Sequence, residues 1–564
     1  MYQIKDSCSG CHACEFRCPV GACYYNGPKY QIDPEICIGC GTCYEICPTC
    51  SVYDTEAVSQ IEPHDKIVKE CDLVVCGGGA GLITAVKAAQ MGRKVILLEK
   101  ARIVGGDMNL AHGFFPVHSK AHTEAGIEDV REDAVRDLSA KTNGVVSEEL
   151  MRTAVYGTSE FMDWLLDFPE TRSLFPLQKF GEKVSHGPVY GSAIFGFPKR
   201  IDNVESKDPS IGPGWMGTYI KKTMLREIEE KGLDVEILTE TPAQHLIVDE
   251  SGAVTGVLAR DPGGIVEVRS KAVVLFTGGF GGSDEKLVRF FPNFFEDDRP
   301  VTRFTVPSNT GDAIDMLEEL GVHPDEDRMF VSNFGPAHHP YSFAVYRLLE
   351  HPSSVSVTLN GTRFFDESAG LHGAYPAIKA GPKQVMWGIF TQKNVDDIMK
   401  EYLSDPALSD TYDCYEDYQA DLDREATYKI PPVMKADTLE ELAEKLGIPA
   451  NVLCKTISDY NRFCAEGVDT EMGKSADHLR TREQKDGPWY AVYGQMFSEC
   501  AAGGVQVNGK CQVLRDDGTP IRGLYAGGNA TGAMHQRNAL AVVSELTWAV
   551  GSAYRCAIES TELP

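Results

Sequence analysis

Along the chain, short apolar runs alternate with polar stretches, and their lengths separate strands from helices. Leu73-Val74-Val75, entered from Asp72, reads as a buried strand. A glycine-rich turn follows, Cys76-Gly77-Gly78-Gly79-Ala80-Gly81, and a helix-like stretch then runs to Gln90. Lys94–Leu98 reads as a second strand, closed by Glu99. Ahead of this unit, Ile61–Glu70 is polar and reads as a linker. Much further on, Leu439–Leu446 has helical periodicity. The densest acidic run, Glu401 to Glu425, is expected to be a solvated face. No apolar run reaches the 18 or more residues of a membrane span, so none is expected.

Composition narrows the class. At 564 residues, with 43% hydrophobic and 24% charged positions, the chain is globular and long enough for several domains of ~150 residues each. Lys plus Arg number 54 against 82 Asp plus Glu, a net charge of −28. That field repels phosphate backbones, so no nucleic-acid partner is expected. The opening residues lack the basic-then-apolar order of a signal peptide, and a cytoplasmic location is expected.

Cysteine changes the picture most, because ten of the 18 fall within the first 50 residues. Cys8, Cys11, Cys14 and Cys18-Pro19 form C-x2-C-x2-C-x3-C-P, and Cys37, Cys40, Cys43 and Cys47-Pro48 repeat it. Three closely spaced thiolates grip one iron–sulfur cubane, while the remote fourth cysteine of each run reaches the other cluster. The expected sets are therefore Cys8, Cys11, Cys14 with Cys47, and Cys37, Cys40, Cys43 with Cys18. Zinc also uses C-x2-C pairs, but four ligands per site do not ask for two copies of this run. Over about residues 1–60 the segment resembles the bacterial two-[4Fe–4S] ferredoxins. Cys23 and Cys50 fall outside the pattern and are expected to pack beside the clusters. Exposed-loop clusters also imply a reducing, anaerobic cell.

The strand–turn–helix–strand unit at 72–99 is a βαβ dinucleotide site with an acid at the end of its second strand. Counting back from Glu99 puts Gly81 at the last fingerprint glycine and Gly78 at the middle one. The first position is Cys76 rather than glycine. The helix N-terminus would face a pyrophosphate, and Glu99 would accept from ribose hydroxyls.

Several collinear segments resemble the flavoprotein superfamily of fumarate reductase and succinate dehydrogenase, which includes 3-oxosteroid dehydrogenases. They are Gly105-Gly106-Asp107-Met108-Asn109-Leu110-Ala111-His112-Gly113; Ala272–Gly281, with Thr277-Gly278-Gly279; and Thr310-Gly311-Asp312-Ala313. Val357–Glu367, and Leu524–Gly532 before a last helix near Asn538, complete the set. The resemblance covers about residues 72–564. It implies an α/β fold: a Rossmann-like FAD-binding domain from 72–335 and 499–564, with an inserted α+β cap at 336–498. A 61–71 linker would join it to the small ferredoxin-like two-cluster domain at 1–60. The implied FAD contacts are Cys76, Gly78, Gly79, Ala80, Gly81, Glu99, Lys100, Gly106, Asp107, Ala111, His112, Gly113 and Ala243. They continue through Thr277, Gly278, Gly279, Asp312, Gly528, Asn529, Asn538, Leu540 and Ala541. Membrane-bound members tether FAD through a histidine. Asp107 holds that position here, so noncovalent FAD is expected.

The fumarate chemistry of the family does not carry over. Its two substrate histidines fall at about Asn333 and at Cys500, and its proton-donor arginine falls at Leu371. Only Arg537 matches. A site lacking the partners of a charged substrate discriminates poorly for it, so fumarate is not the expected substrate. What the resemblance implies is hydride delivery from flavin N5 to the β-carbon of an activated C=C bond, with an acid protonating the α-carbon. The developing oxygen charge needs positioned donors. Arg537 and His535 are the candidates for that role, and His372 or Tyr375 for the acid. Phe114, Phe115 and Tyr341 could flank a less charged substrate. With no second glycine-rich βαβ unit for NAD(P)H, the expected donor is ferredoxin, flavodoxin or a partner flavoprotein. The alternative is an electron-transfer subunit that relays electrons within a larger redox complex.

Overall fold

The computed structural model describes residues 2–6, 8, 10, 13–25, 29–56, 61–111, 114, 116–142, 144–169, 171, 177–179, 193–195, 216–292, 305–331, 333–336, 343–369, 377, 385–404, 414–427, 431–479, 483–497, 501–534 and 545–562. A six-stranded sheet forms the largest layer, in the order 235–238, 95–98, 73–76, 272–275, 520–526, 512–514. The first five strands are parallel and the last is antiparallel to its neighbour. Leu73–Cys76, Val95–Leu98 and Ala272–Leu275 are buried at every position, which is why they read as unbroken apolar runs rather than as alternation.

Helices cover this sheet. Gly81–Gln90 buries eight of its ten residues. It docks on the last helix, Glu545–Thr561, where the Thr84 hydroxyl donates to the Ala553 carbonyl at 2.8 Å. Glu148–Leu165 crosses the same helix closely: a Cβ on Gly157 would lie 2.8 Å from the Gly551 carbonyl oxygen, so only small residues permit the approach.

Lys66–Glu70, read from sequence as linker, is instead a strand. It pairs in parallel with Ile265–Arg269 at the edge of a four-stranded sheet. Ile67 faces the core while Lys66 and Glu70 point to solvent, and charge on an outer edge masks a strand in the sequence.

Two segments run side by side out of this body. Asp325–Phe330 pairs with Ala502–Gly504, and Asn333–Pro336 continues antiparallel to Gly494–Phe497. They lead to a second lobe built on a five-stranded sheet formed by 333–336, 489–497, 385–391, 355–357 and 433–436. Trp387 is buried here against Tyr493 in an edge-to-face contact at 4.9 Å. Leu439–Leu446 is helical as its periodicity implies, and Thr438 and Glu441 close a capping box at its start. In the described part of the acidic run, Glu416 and Asp417 are exposed but Glu425 is buried. Among the described residues no helix is long and apolar enough to cross a membrane.

Candidate active site

The site forms where three parallel strands end together. Cys76, Leu275 and Ala526 are in register across the sheet, so the turns that follow them converge. Open α/β sheets bind ligands at such carboxyl ends. Phe276 is the hub. A Cβ on Gly77 would stand 2.0 Å from its carbonyl oxygen, and one on Gly527 would stand 2.6 Å from its ring. Gly77 also has φ +106°, which side-chain-bearing residues rarely adopt. This accounts for the departure at Cys76. The thiol ends the strand, fully buried, and Gly77 takes the turn.

Around this hub the chain folds into a cradle of backbone and small side chains. The Gly105 N–H donates to the Gly78 carbonyl at 2.9 Å, laying the 105–110 turn against the first loop. Glu99 is buried, and each of its carboxylate oxygens accepts one backbone N–H: Oε2 from Gly78 and Oε1 from Ala101, both at 2.7 Å. Burial raises its pKa, against these hydrogen bonds. Each oxygen still has a lone pair for a ribose hydroxyl. Lys100 donates to the Thr310 hydroxyl and, at 3.0 Å, to Asp312. The first residue of Ala243–Val248, Ala243, is also buried; its strand follows Thr241, whose N–H donates to the Glu99 carbonyl at 2.9 Å.

Asp107 is enclosed although it keeps some reach to solvent. It accepts from the Val306 N–H at 2.7 Å, from the Thr305 hydroxyl at 3.0 Å and from the Asn309 amide. Burial pushes its carboxyl up to about 7, the hydrogen bonds offsetting only part of the cost. Thr305 and Asn309 escaped sequence reasoning. The one available signal was the adjacent Thr310-Gly311-Asp312 motif. Among the described residues, Thr277 Oγ1, Asn529 Oδ1 and Asn109 Oδ1 are buried with no hydrogen-bond partner. Buried polar atoms rarely stay unpaired, so the cradle is shaped for a polar ligand, and a dinucleotide such as FAD would supply the missing partners.

The cysteine runs fold as two short helices, Ala13–Arg17 and Thr42–Ile46, beside a small hairpin of Cys23–Tyr25 with Tyr30–Ile32 and an antiparallel pairing of Tyr2–Ile4 with Val52–Asp54. Cys18, Cys37, Cys40 and Cys43 line one hollow of about 310 Å³, including its open mouth. The distant Cys18 thus joins the second run's three thiols. Backbone N–H groups point at the sulfurs, Ala22 to Cys18 at 3.1 Å and Gly39 to Cys37 at 3.4 Å. Cys8 lies within the electrostatic reach of Cys47. Cys23 packs between Cys14 and Cys43, and Cys50 packs near Cys47. The gathered Cys18, Cys37, Cys40 and Cys43 thiols suit an iron–sulfur cluster, while the other set includes Cys11, outside the described residues.

The second lobe carries a different kind of centre. Arg363 donates to Glu367 at 3.0 and 2.6 Å and to Asp469 at 2.9 Å, and Lys474 lies 3.3 Å from Glu367, all four side chains being buried. Burial works against the Arg363 charge, but the two carboxylates outweigh it and raise its pKa. The quartet is tied into the lobe around it: Glu367 accepts from the Ser356 N–H at 3.0 Å, and Lys474 donates to the Ser354 carbonyl at 3.3 Å. Phe114 packs edge-to-face on Phe161 in the core of the first body, so it serves packing rather than a pocket wall. Cys11, His112, Gly113, Phe115, Tyr341, Leu371, His372, Tyr375, Cys500, His535, Arg537, Asn538, Leu540 and Ala541 lie outside the described residues.

Comparison with known proteins agrees with this architecture. The FAD binding domain family matches residues 72–544, and the 4Fe-4S binding domain family matches residues 30–49. The chain belongs to the FAD-binding-domain family of fumarate reductase and succinate dehydrogenase flavoproteins, and is an FAD-dependent oxidoreductase with a 4Fe–4S motif. It is 27% identical over 473 residues to urocanate reductase of Eggerthella lenta, covering 83% of this chain and 70% of that one. It is 24% identical to vinyl phenol reductase of Lactiplantibacillus plantarum, covering 81% and 89%. Its fold matches the open conformation of a flavocytochrome c3 fumarate reductase with TM-score 0.63 at 24% identity, over 88% of this chain and 79% of that one. It also matches 3-ketosteroid delta1-dehydrogenase from Sterolibacterium denitrificans with TM-score 0.66 at 18% identity, over 88% and 100%.

Proposed function

We propose that this chain reduces an activated C=C bond of an enone or enoate other than fumarate, with electrons delivered through two N-terminal [4Fe–4S] clusters. The observation that carries this reading is the presence on one chain of the gathered Cys18, Cys37, Cys40 and Cys43 thiols and of a cradle whose buried Thr277 and Asn529 atoms lack partners. Relatives named for urocanate, vinyl phenol and acrylate, all bearing a conjugated double bond, favour the substrate class. Bound FAD would supply hydride to the substrate β-carbon.

The chain's own residues do the rest. Glu99 and Lys100 hold the ribose end, the 77–81 turn admits the pyrophosphate, and Thr277, Gly278, Gly528 and Asn529 wall the ring end. Asp107, at the position where the resemblance places a tethering histidine in membrane-bound members of the family, has no nucleophilic nitrogen to offer, so FAD is held noncovalently. Residues 336–498 act as a cap that closes over substrate and excludes water. In the reaction, Arg537 and His535 stabilise the developing oxygen charge, and His372 or Tyr375 delivers the proton. The ferredoxin-like domain spans 1–60, and the FAD domain spans 72–335 and 499–564.

Arg537→Ala tests the assignment. The variant should keep its flavin absorbance and lose turnover by roughly 100-fold or more, the scale of one lost charge-stabilising donor. A variant that instead releases FAD would put Arg537 in the cofactor shell.

A further inference from the structure

The two thiol sets sit in unlike surroundings. Cys40 is exposed, and the hollow that it shares with Cys18, Cys37 and Cys43 opens beside Val20 and Ile38, which are 39% and 64% exposed. Ile36 adds a further exposed apolar side chain at 46%. In the other set, Cys14 and Cys47 are buried and Cys8 is half-buried, with no described member exposed; Cys43, in the first set, is buried as well. The chain that follows Cys47 lies on the FAD domain: Asn109 Nδ2 donates to the Pro48 carbonyl at 3.3 Å, and Cys50 lies close to Arg102, Glu99 and Ile103. Arg102 also holds the exposed set's run, donating to the carbonyl of Tyr44, the residue after Cys43, and stacking on its ring at 3.8 Å. Arg102 and Asn109 belong to the two segments that flank the dinucleotide cradle, 99–104 and 105–110. Cys23, packed between Cys14 and Cys43, joins the sets.

We propose that the chain is wired in one order: electrons enter at the Cys18–Cys37–Cys40–Cys43 set and leave through the set containing Cys47, across the Cys47–Cys50 segment seated on Arg102 and Asn109. This rests on the reading that clusters fill both thiol sets and feed bound FAD. The donor is a protein carrying a low-potential one-electron centre, and it loses one electron at each encounter. Two encounters, with two protons from solvent, balance the saturation of one double bond. The apolar rim of Val20, Ile36 and Ile38 lies beside Cys40, the one exposed thiol among the described members of the two sets, and marks where such a donor approaches.

Rapid mixing of the full-length, cluster- and flavin-loaded protein with a reduced bacterial two-cluster ferredoxin tests the order, with cluster and flavin absorbance followed separately. Ile38→Asp should slow cluster reduction by roughly tenfold or more, an added barrier of ~1.4 kcal/mol, while reduction by dithionite is unchanged. Arg102→Ala should leave cluster reduction at the wild-type rate and slow the following flavin reduction by a similar roughly tenfold factor. If Arg102→Ala sheds flavin, Cys47→Ser replaces it. Electron paramagnetic resonance should then show the second set still reduced by ferredoxin while the flavin stays oxidised. Wild-type flavin reduction in Arg102→Ala or in Cys47→Ser, or undiminished ferredoxin reduction of Ile38→Asp, overturns the order. No double-bond substrate enters the assay, so such a failure leaves the reductase reading intact. Purified protein lacking acid-labile sulfide would instead contradict the clusters themselves.

Discussion

The dinucleotide end and the second lobe solve opposite problems. At the end of the parallel sheet, position is enforced by backbone: Gly77 turns where no side chain fits, and Glu99 is held by two N–H groups from its neighbourhood. In the second lobe, position is enforced by charge, through the buried quartet of Arg363, Glu367, Asp469 and Lys474. The first arrangement leaves Thr277 Oγ1 and Asn529 Oδ1 unspent beside a dinucleotide turn, whereas the quartet pairs its opposite charges with one another and leaves only Arg363 Nη1 of its buried atoms without a partner. Burying two ion pairs is costly unless every partner stays in place, so the quartet fixes a unique loop geometry more than it adds stability. The difference teaches where function is to be sought. Arg363 is a charged residue beside the expected cap entry, yet its chemistry is structural.

Breaking the quartet should have the largest effect. Arg363→Ala leaves two buried carboxylates facing one lysine and should cost about 3–5 kcal/mol, visible in denaturant unfolding. A loss under about 1 kcal/mol would mean that the lobe relaxes to hydrate the carboxylates. Gly77→Ala attacks the other region. Its methyl would meet the Phe276 carbonyl oxygen at 2.0 Å. Strain of ~1–3 kcal/mol should fall on the turn that admits the pyrophosphate, and the purified variant should contain little flavin.

A smaller effect is expected at Asp107, an enclosed carboxyl whose hydrogen-bond donors among the described residues are all uncharged. Its folded pKa, about 7, lies above the ordinary value of 3.8. Across that window the folded chain holds a proton that the unfolded chain has released. The stability contribution of this group therefore falls as pH rises and is lowest above about 7. Thermal melts at about pH 5 and about pH 8 should show a drop in wild type that Asp107→Asn flattens. Equal slopes in the two proteins would show that the carboxyl ionises freely in the fold.

Legibility from sequence follows the same division. The cysteine runs, the 72–99 unit and the capped 439–446 helix depend on neighbours within a few residues, and each was readable. The Asp107–Thr305–Asn309 contacts and the Arg363–Asp469 pair join residues about 200 and about 100 positions apart, and no local pattern announces them. Lys66–Glu70 hid as a strand because an edge position tolerates charge. The seat of Pro48 on Asn109 and of Tyr44 on Arg102 likewise had no signal, since each is a surface residue until the two parts meet.

The proposed electron path ends on an activated double bond. Its most direct test is anaerobic reoxidation of the fully reduced protein by a panel of enones, enoates, quinones and fumarate, followed by flavin absorbance. The account predicts rapid reoxidation by one enone or enoate class and none by fumarate. Reoxidation by fumarate would contradict the reading of Asn333, Leu371 and Cys500 as a dismantled dicarboxylate clamp. Silence towards every small molecule, with reoxidation only by a partner protein, would make the chain a relay and contradict the claim.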